Sequence, residues 1–435
     1  MALEKTAVSN NFWPIIMLLT GICISEGSVL FFNFQLKWDD QWVVINTYTD
    51  NGLTLSTIKA IFTEFYHGQY APVNQIYYCI LRSIFGYNPF YFHLAGLLVH
   101  FFNSCLVYFL IVKIITFSKI LFKTDRRFSL FCALLFAIHP INLESTAWIS
   151  ASKVLLYAFF YLSAIYCYTI YLIRNKFYYY LLTVFLFILS FGAKEQAIVL
   201  PVCLLLLDYL FGRSILSRNV WIEKLPLFVL SSYFCWLTIQ SQNIGSEDVF
   251  FYTYSVHERI ILACYSLSEY LTKCLIPVKL SYLYPFPFNP GEYIPIWLSL
   301  CPLLLIVTLI SFRDLFLNKR ILFGVAFFLI HIFLVLNLVN PYRYAIIADR
   351  YAYLSSIGVC FLLGQCIWIL LNSYRKLKLI GYFVVSVYLI FFIAYTRYHS
   401  FVWADSISLK QDFRNTIIKR NDYDSLKKSF FNNEE

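Results

Sequence analysis

Two adjacent carboxylates, in Trp38-Asp39-Asp40, stand a few residues beyond the first long apolar run of a 435-residue chain. Charge at the edge of an apolar phase is costly and marks function more often than ornament. Two ionised neighbours repel, so one can keep its proton to higher pH and serve as a base, or the pair can share a cation or a polar substrate. A solvated loop start with both charges facing water is the plain alternative. Further along come counter-charges, Lys153, Lys194 and Arg350, and with them His139, Glu144, Glu195, Arg343, Asp349 and Tyr351. Carboxylates can activate a hydroxyl nucleophile while Lys and Arg neutralise a departing phosphate, so the set holds both halves of a group-transfer site. Arg350 is the leading phosphate ligand, because a guanidinium grips phosphate oxygens with two parallel hydrogen bonds. Tyr351 and Tyr353 beside it suit a membrane interface.

Each residue also has a structural reading. Lys153, Lys194 and Arg350 can snorkel to a head-group region, and Glu144 and Glu195 can simply pair with the lysines. His139 can cap a kinked helix end. Asp208 and Glu269, inside apolar runs, are either buried structural pairs or pocket members.

The elements that must position these groups are membrane helices. The chain is 60% hydrophobic and 13% charged, with mean hydropathy +0.67, which places it among multi-spanning membrane proteins. Its net charge of +10 comes from Lys and Arg gathered on alternate loops, as membrane orientation requires, and gives no reason to expect nucleic acid. The twelve Cys lie mostly within apolar runs without metal-ligand spacing and read as small buried hydrophobes.

The apolar runs predict about eleven spans, at 13–32, 92–117, 128–141, 154–173, 177–193, 198–211, 225–240, 296–312, 321–339, 354–371 and 379–396. The first is read as a retained helix, with the N-terminus inside and the C-terminus outside. Between the first two, Leu55, Ile58, Phe62 and Phe65 recur at helical spacing and predict a short amphipathic helix lying on the membrane as part of an external first loop. Pro140 stops or kinks the third span. Residues 260–276 carry Glu269 and Lys273 and are read as re-entrant or surface-lying, since counting them as a span would put later basic loops outside. Two domains follow: a membrane body over 1–396 and a short external amphipathic tail over 397–435. The map places the candidate acids and bases on one side, whereas the cytoplasmic loops hold mostly Lys and Arg.

At this point an ordered set of motifs resembles a family. Trp38-Asp39-Asp40, Tyr70-Ala71-Pro72 and Asn88-Pro89-Phe90-Tyr91-Phe92-His93-Leu94 are similar to the first external loop and second span of the transmembrane and tetratricopeptide-repeat protein O-mannosyltransferases and their bacterial relatives. Later blocks agree: Phe136-Ala137-Ile138-His139-Pro140 with Glu144, Ala147-Trp148-Ile149 and Lys153; Lys194-Glu195; Leu200-Pro201 to Leu207-Asp208-Tyr209; and Ala348-Asp349-Arg350-Tyr351-Ala352-Tyr353-Leu354 followed by Ser356-Ile357-Gly358. The resemblance implies an all-α GT-C glycosyltransferase fold, a polyprenyl-phosphate-linked sugar as donor and a hydroxyl acceptor on an exported protein, a surface glycan or a lipid. It also implies a bacterial cytoplasmic membrane with the site on the external, periplasmic face. Carried over by position, Asp39 and Asp40 match the acidic motif, one of them the base. Arg350 matches a donor-phosphate position, with Lys194 and Lys153 as helpers, while His139 and Glu144 match a family motif near the site. A divalent cation at Asp39 and Asp40 stays open. Animal relatives continue into repeats. Here Trp403, Ser406 and Leu409 resemble only the lead-in, so acceptor capture by an attached repeat array is not expected. A lipid-linked-sugar flippase is the competing reading, and a non-catalytic membrane scaffold the third.

Overall fold

Helix Pro89–Phe117 shows how the chain builds a membrane element. Asn88 accepts the Phe90 backbone N–H at 3.1 Å, Pro89 occupies the first helical position, and the helix runs 29 residues without a break. At 1.5 Å per residue that is about 43 Å, longer than the roughly 30 Å hydrocarbon core it has to cross. The computed structural model describes residues 12–118, 126–244, 254–338, 345–373 and 378–418. Arg343 and the tail beyond residue 418 lie outside the described residues.

Among the described residues the chain is all-helical, with two isolated backbone bridges and no strand. Five helical stretches are long and apolar enough to cross a membrane: Trp13–Phe31, Pro89–Phe117, Ile149–Arg174, Arg218–Asn243 and Lys378–Trp403. A sixth is the pair Arg126–Ala137 and Pro140–Ala147, bent by 48°. Three shorter apolar helices, Phe177–Ala193, Ile296–Ser311 and Ser355–Leu371, add to them. Of the eleven spans expected from the sequence, those five and the bent pair are long and apolar enough to cross; the other five runs lie on shorter helices, the remaining two on Leu200–Leu210 and Lys319–Ile332. Helix Val256–Leu275, opened by a Ser255/Glu258 capping box, carries four charged side chains and is not among the candidate spans.

Turn and crossing chemistry then fixes the arrangement. Asn175, at φ +52°, joins the antiparallel helices Ser152–Arg174 and Phe177–Ala193, a left-handed position that Asn tolerates well. Gly324 and Gly358 meet where Lys319–Ile332 crosses Ser355–Ser373. A Cβ on Gly358 would strike the Gly324 carbonyl and the Phe328 backbone, so the glycine of the Ser356-Ile357-Gly358 block is explained by close helix approach.

The amphipathic helix expected over 55–65 forms as Leu55–Thr63. It buries Thr57 and Ile61 and leaves Leu55 and Phe62 exposed. At the other end of the chain, Asp405 caps helix Ser406–Ile417 by accepting the Ile407 and Ser408 N–H groups at 2.9 and 2.8 Å. That helix buries Leu409, Phe413 and Ile417 in the main core, so residues 406–417 pack against the body rather than standing off it.

Asp208 belongs to a buried ionic network. Arg213 donates to it at 2.8 Å and Lys224 at 2.6 Å, the Tyr168 hydroxyl donates at 2.8 Å, and Arg213 forks onto Glu223 with two bonds of 2.7 Å. Asp208 and Lys224 are fully buried, so removing one partner strands the other. An Asp208→Leu variant is expected to lose roughly 3–5 kcal/mol, measurable as a lower unfolding midpoint in detergent. An unchanged midpoint would show the network to be dispensable.

Candidate functional site

Asp39 and Asp40 open a short helix, Asp40–Val43, and their carboxylates face different partners. Asp40 is fully buried. One oxygen accepts the Gln35 N–H at 2.7 Å. The other accepts the Ser150 N–H at 3.0 Å and the Ser150 hydroxyl. Burial pushes its pKa up to about 6, against those hydrogen bonds, and the neighbouring Asp39 adds to the rise. Asp39 is half-buried, and the Trp42 side chain acts to lower its pKa. Burial raises its pKa as well, while Lys153 and then Arg350 pull it back. Those two cations come from chain segments more than a hundred residues away, and both act on this one carboxylate.

The cations converge on Tyr351. The Arg350 guanidinium lies 4.9 Å from the Tyr351 ring centroid and 5.0 Å from that of Trp148. Lys194 lies 5.3 Å from the Tyr351 ring. Lys153 donates to Gln69 Oε1 at 2.8 Å and interacts electrostatically with Lys194, Glu195, Tyr351 and Asp39. Glu195 pairs with Lys194 at 3.6 Å. Glu144 holds Arg350 from beneath, taking its backbone N–H at 2.7 Å on one oxygen and a guanidinium N–H on the other. Glu144 is buried, whereas the Arg350 side chain is one-fifth exposed. Of the five guanidinium N–H groups, Glu144 takes one among the described residues. The fork keeps donors for another oxygen-rich group.

Asp349 turns the other way. It accepts the Tyr284 hydroxyl at 2.9 and 3.1 Å on its two oxygens, and Lys273 stands 4.5 Å from the Tyr284 ring. Burial pushes the Asp349 pKa up to about 8, opposed by Lys273 and reinforced by Glu144. Between 3.8 and about 8 the folded protein holds a proton that the unfolded chain releases, so this group's contribution to stability falls as pH rises through that window. An Asp349→Asn variant is expected to lose that slope, at most about 1.4 kcal/mol per pH unit. Unfolding midpoints compared between pH 5 and 8 would show it, and an identical slope in both proteins would refute the assignment.

His139 is fully buried and caps the turn at Pro140. Nδ1 accepts the Ile141 N–H at 3.2 Å, so the proton sits on Nε2 and is given to the Cys274 carbonyl at 2.9 Å. Both nitrogens are thus committed to backbone. Tyr353 also departs from expectation: it is not at an interface but fully buried, its hydroxyl bonded to His100 and Asn103 at 2.6 and 3.1 Å. A chelated divalent cation does not fit the acidic pair, because Asp40 spends both oxygens on Gln35 and Ser150. Among the described residues no three His, Cys, Asp or Glu side chains come together.

Sequence reasoning missed several supports. Gln69 sits one residue before the Tyr70-Ala71-Pro72 block and Ser150 two after Trp148, so adjacency to a motif was the available signal. An aromatic bridge had none: Arg350 rests on Trp148, Trp148 stacks on Trp403 at 5.9 Å, Trp403 meets Tyr282 at 6.4 Å, and Tyr282 meets Trp38 at 5.2 Å. It joins the guanidinium to the acidic loop.

Against known proteins, 143 residues are 32% identical to the human protein named Protein O-mannosyl-transferase TMTC1, covering 30% of this chain and 15% of that protein. The mouse protein of the same name is 30% identical over 142 residues, 30% of this chain and 14% of its own length. The matches thus span about a seventh of these curated relatives. No family model and no solved structure matches. A helical membrane protein with partial likeness to a glycosyltransferase is what the comparisons and the fold together give.

Proposed function

We propose that the chain is a membrane glycosyltransferase that moves a sugar from a polyprenyl phosphate to a hydroxyl acceptor at the non-cytoplasmic face. One observation carries the reading: Asp39, held at a raised pKa by burial, lies within the electrostatic reach of Lys153 and Arg350. An acid that can take a proton therefore adjoins cations that can take a phosphate. The partial likeness to proteins named as O-mannosyl-transferases supports it.

In this reading the acceptor O–H gives its proton to the Asp39 carboxylate while its oxygen bonds to the anomeric carbon. The bond from that carbon to the phosphate oxygen breaks, and the electron pair stays on the phosphate. Arg350, with Lys194 and Lys153 near it, stabilises the charge that develops there. Glu144 and the rings of Trp148 and Tyr351 hold the guanidinium in one plane, so little reorganisation is needed as charge builds. Asp40 takes no proton. Through Gln35 and Ser150 it fixes the loop that carries Asp39.

Purified protein incubated with a polyprenyl-phosphate hexose and a panel of hydroxyl acceptors should release polyprenyl phosphate in step with a glycosylated product. Movement of the lipid-linked sugar across proteoliposomes with no covalent product would replace this reading with the flippase.

A further inference from the structure

Helix Trp13–Glu26 ends on a carboxyl that nothing balances. Glu26 is fully buried, and neither of its oxygens has a hydrogen-bond partner among the described residues. Helices Pro89–Phe117, Arg126–Ala137 and Lys378–Ser400 pack against this helix, yet their cations, Lys113, Arg126, Arg127, Lys378 and Arg397, are none of them buried. Among the described residues only His100 comes within ion-pair distance, Nε2 to Oε1 at 3.9 Å. Thr146 adjoins the carboxyl, but its hydroxyl gives its hydrogen to the Leu143 carbonyl at 3.1 Å. Towards Glu26 that oxygen can only accept, and only a protonated carboxyl has a hydrogen to offer it.

His100 cannot supply the missing charge without breaking its own bonds. It lies eleven residues into Pro89–Phe117, about 17 Å along the helix and at hydrocarbon depth. Nε2 is 3.0 Å from the Ala137 carbonyl, which can only accept, so the ring hydrogen sits there. Nδ1 then accepts the Tyr353 hydroxyl at 2.6 Å, and the Tyr353 oxygen takes a hydrogen from Asn103 Nδ2 at 3.1 Å. Asn103, Tyr353, His100 and the Ala137 carbonyl thus form one chain with every hydrogen pointing the same way. A proton added at Nδ1 would leave the Tyr353 hydroxyl without its acceptor. An unpaired carboxylate at this depth is among the costliest groups a protein can hold, and it takes up a proton instead.

The chain of bonds reaches the charged centre through the backbone. Tyr353 follows directly on the turn Asp349–Ala352 that carries Arg350. At the start of that turn the Tyr270 hydroxyl accepts the Ala348 N–H at 3.1 Å, and Glu144 accepts the Arg350 N–H at 2.7 Å. At its end the anchor is the Tyr353 hydroxyl. We propose that Glu26 holds a proton inside the membrane body and that, with His100 and Tyr353, it forms a set of positioning residues for Arg350. The second half rests on the transferase reading above, in which Arg350 meets a lipid phosphate; the first half does not.

Infrared difference spectra of the full chain in detergent at pH 7, native protein minus Glu26→Gln, read the proton directly. The native protein should show a protonated-carboxyl C=O band that the variant lacks and that shifts in D2O. Loss of carboxylate bands instead, or a Glu26→Gln protein that does not fold although its amide is the neutral stand-in for the acid, overturns the proposal. Positioning is read with farnesyl phosphate and farnesol as probes. Tyr353→Phe, or Asn103→Leu should the first not fold, is expected to bind the phosphate about tenfold more weakly, about 1.4 kcal/mol, and the alcohol as the native protein does. Glu26→Gln should bind both as the native protein does. Equal weakening of both probes, as a merely structural role would give, no weakening at all, or a native protein without preference for the phosphate overturns the positioning role. Turnover of a polyprenyl-phosphate hexose is measured beside these: phosphate preference that depends on Tyr353 in a protein without turnover keeps the positioning role and removes the transferase, whereas turnover indifferent to the loss of the Tyr353 anchor does the reverse.

Discussion

An Asp39→Asn protein is expected to fold normally and to lose transfer by roughly 10²- to 10⁴-fold in kcat, the usual contribution of a positioned general base. Asparagine preserves shape and polarity but cannot receive the acceptor proton. With the native residue the base must be ionised, and burial raises its pKa above 3.8, so the acid limb of the kcat profile should lie above the value for a free aspartate. Asp40→Asn should behave differently. Its new NH2 would face the Gln35 N–H or the Ser150 donors that the carboxylate now satisfies, a clash of donors costing on the order of 1–3 kcal/mol. Kinetics paired with unfolding midpoints separate the two roles. Full activity in Asp39→Asn, or a stable Asp40→Asn protein defective only in kcat, would end the assignment.

The second large effect is expected at Arg350. Arg350→Lys keeps the charge but loses the planar fork and the stacking on Trp148 and Tyr351, which lysine cannot reproduce. A loss of about 10² to 10³ in kcat/KM for the lipid-phosphate donor is expected, in the range seen when one group aimed at developing charge is removed. Lys194→Gln should cost less, because Lys194 already shares its charge with Glu195 at 3.6 Å. Steady-state rates against donor concentration decide between them. A lysine at 350 that supports turnover as well as arginine would mean that the phosphate is held elsewhere.

Much of the helical body was legible because apolar runs and their polar stops report solvent preference directly. Several motif blocks are explained by structure: Asn88-Pro89 caps a helix, Leu200-Pro201 opens one, His139 closes a kink, and Gly358 permits a crossing. Their residue types follow from backbone needs, which sequence can state but cannot separate from chemistry. The charges that could do chemistry were also visible, yet their division of labour was not. Asp39 and Asp40 are identical in type and adjacent in sequence, and only the position of Ser150, 110 residues away, makes one a tether and leaves the other available. Asp208 was ambiguous for the same reason, since its partners Arg213 and Lys224 lie in segments whose approach no periodicity encodes.

The loop bearing Asp39 is stitched to the far end of the chain. Asn33 N–H donates to the Ala404 carbonyl at 3.0 Å, Gln35 Nε2 to the Trp403 carbonyl at 2.8 Å, and Lys37 N–H to Ser406 Oγ at 3.2 Å. Contacts separated by more than 360 residues form late, because the intervening chain must be ordered first. During synthesis, then, the acid is made among the earliest residues and set among the last, after Ser406 has cleared the ribosome. A nascent chain stalled short of that point would be inserted in the bilayer with the Asp39 carboxylate still unaimed.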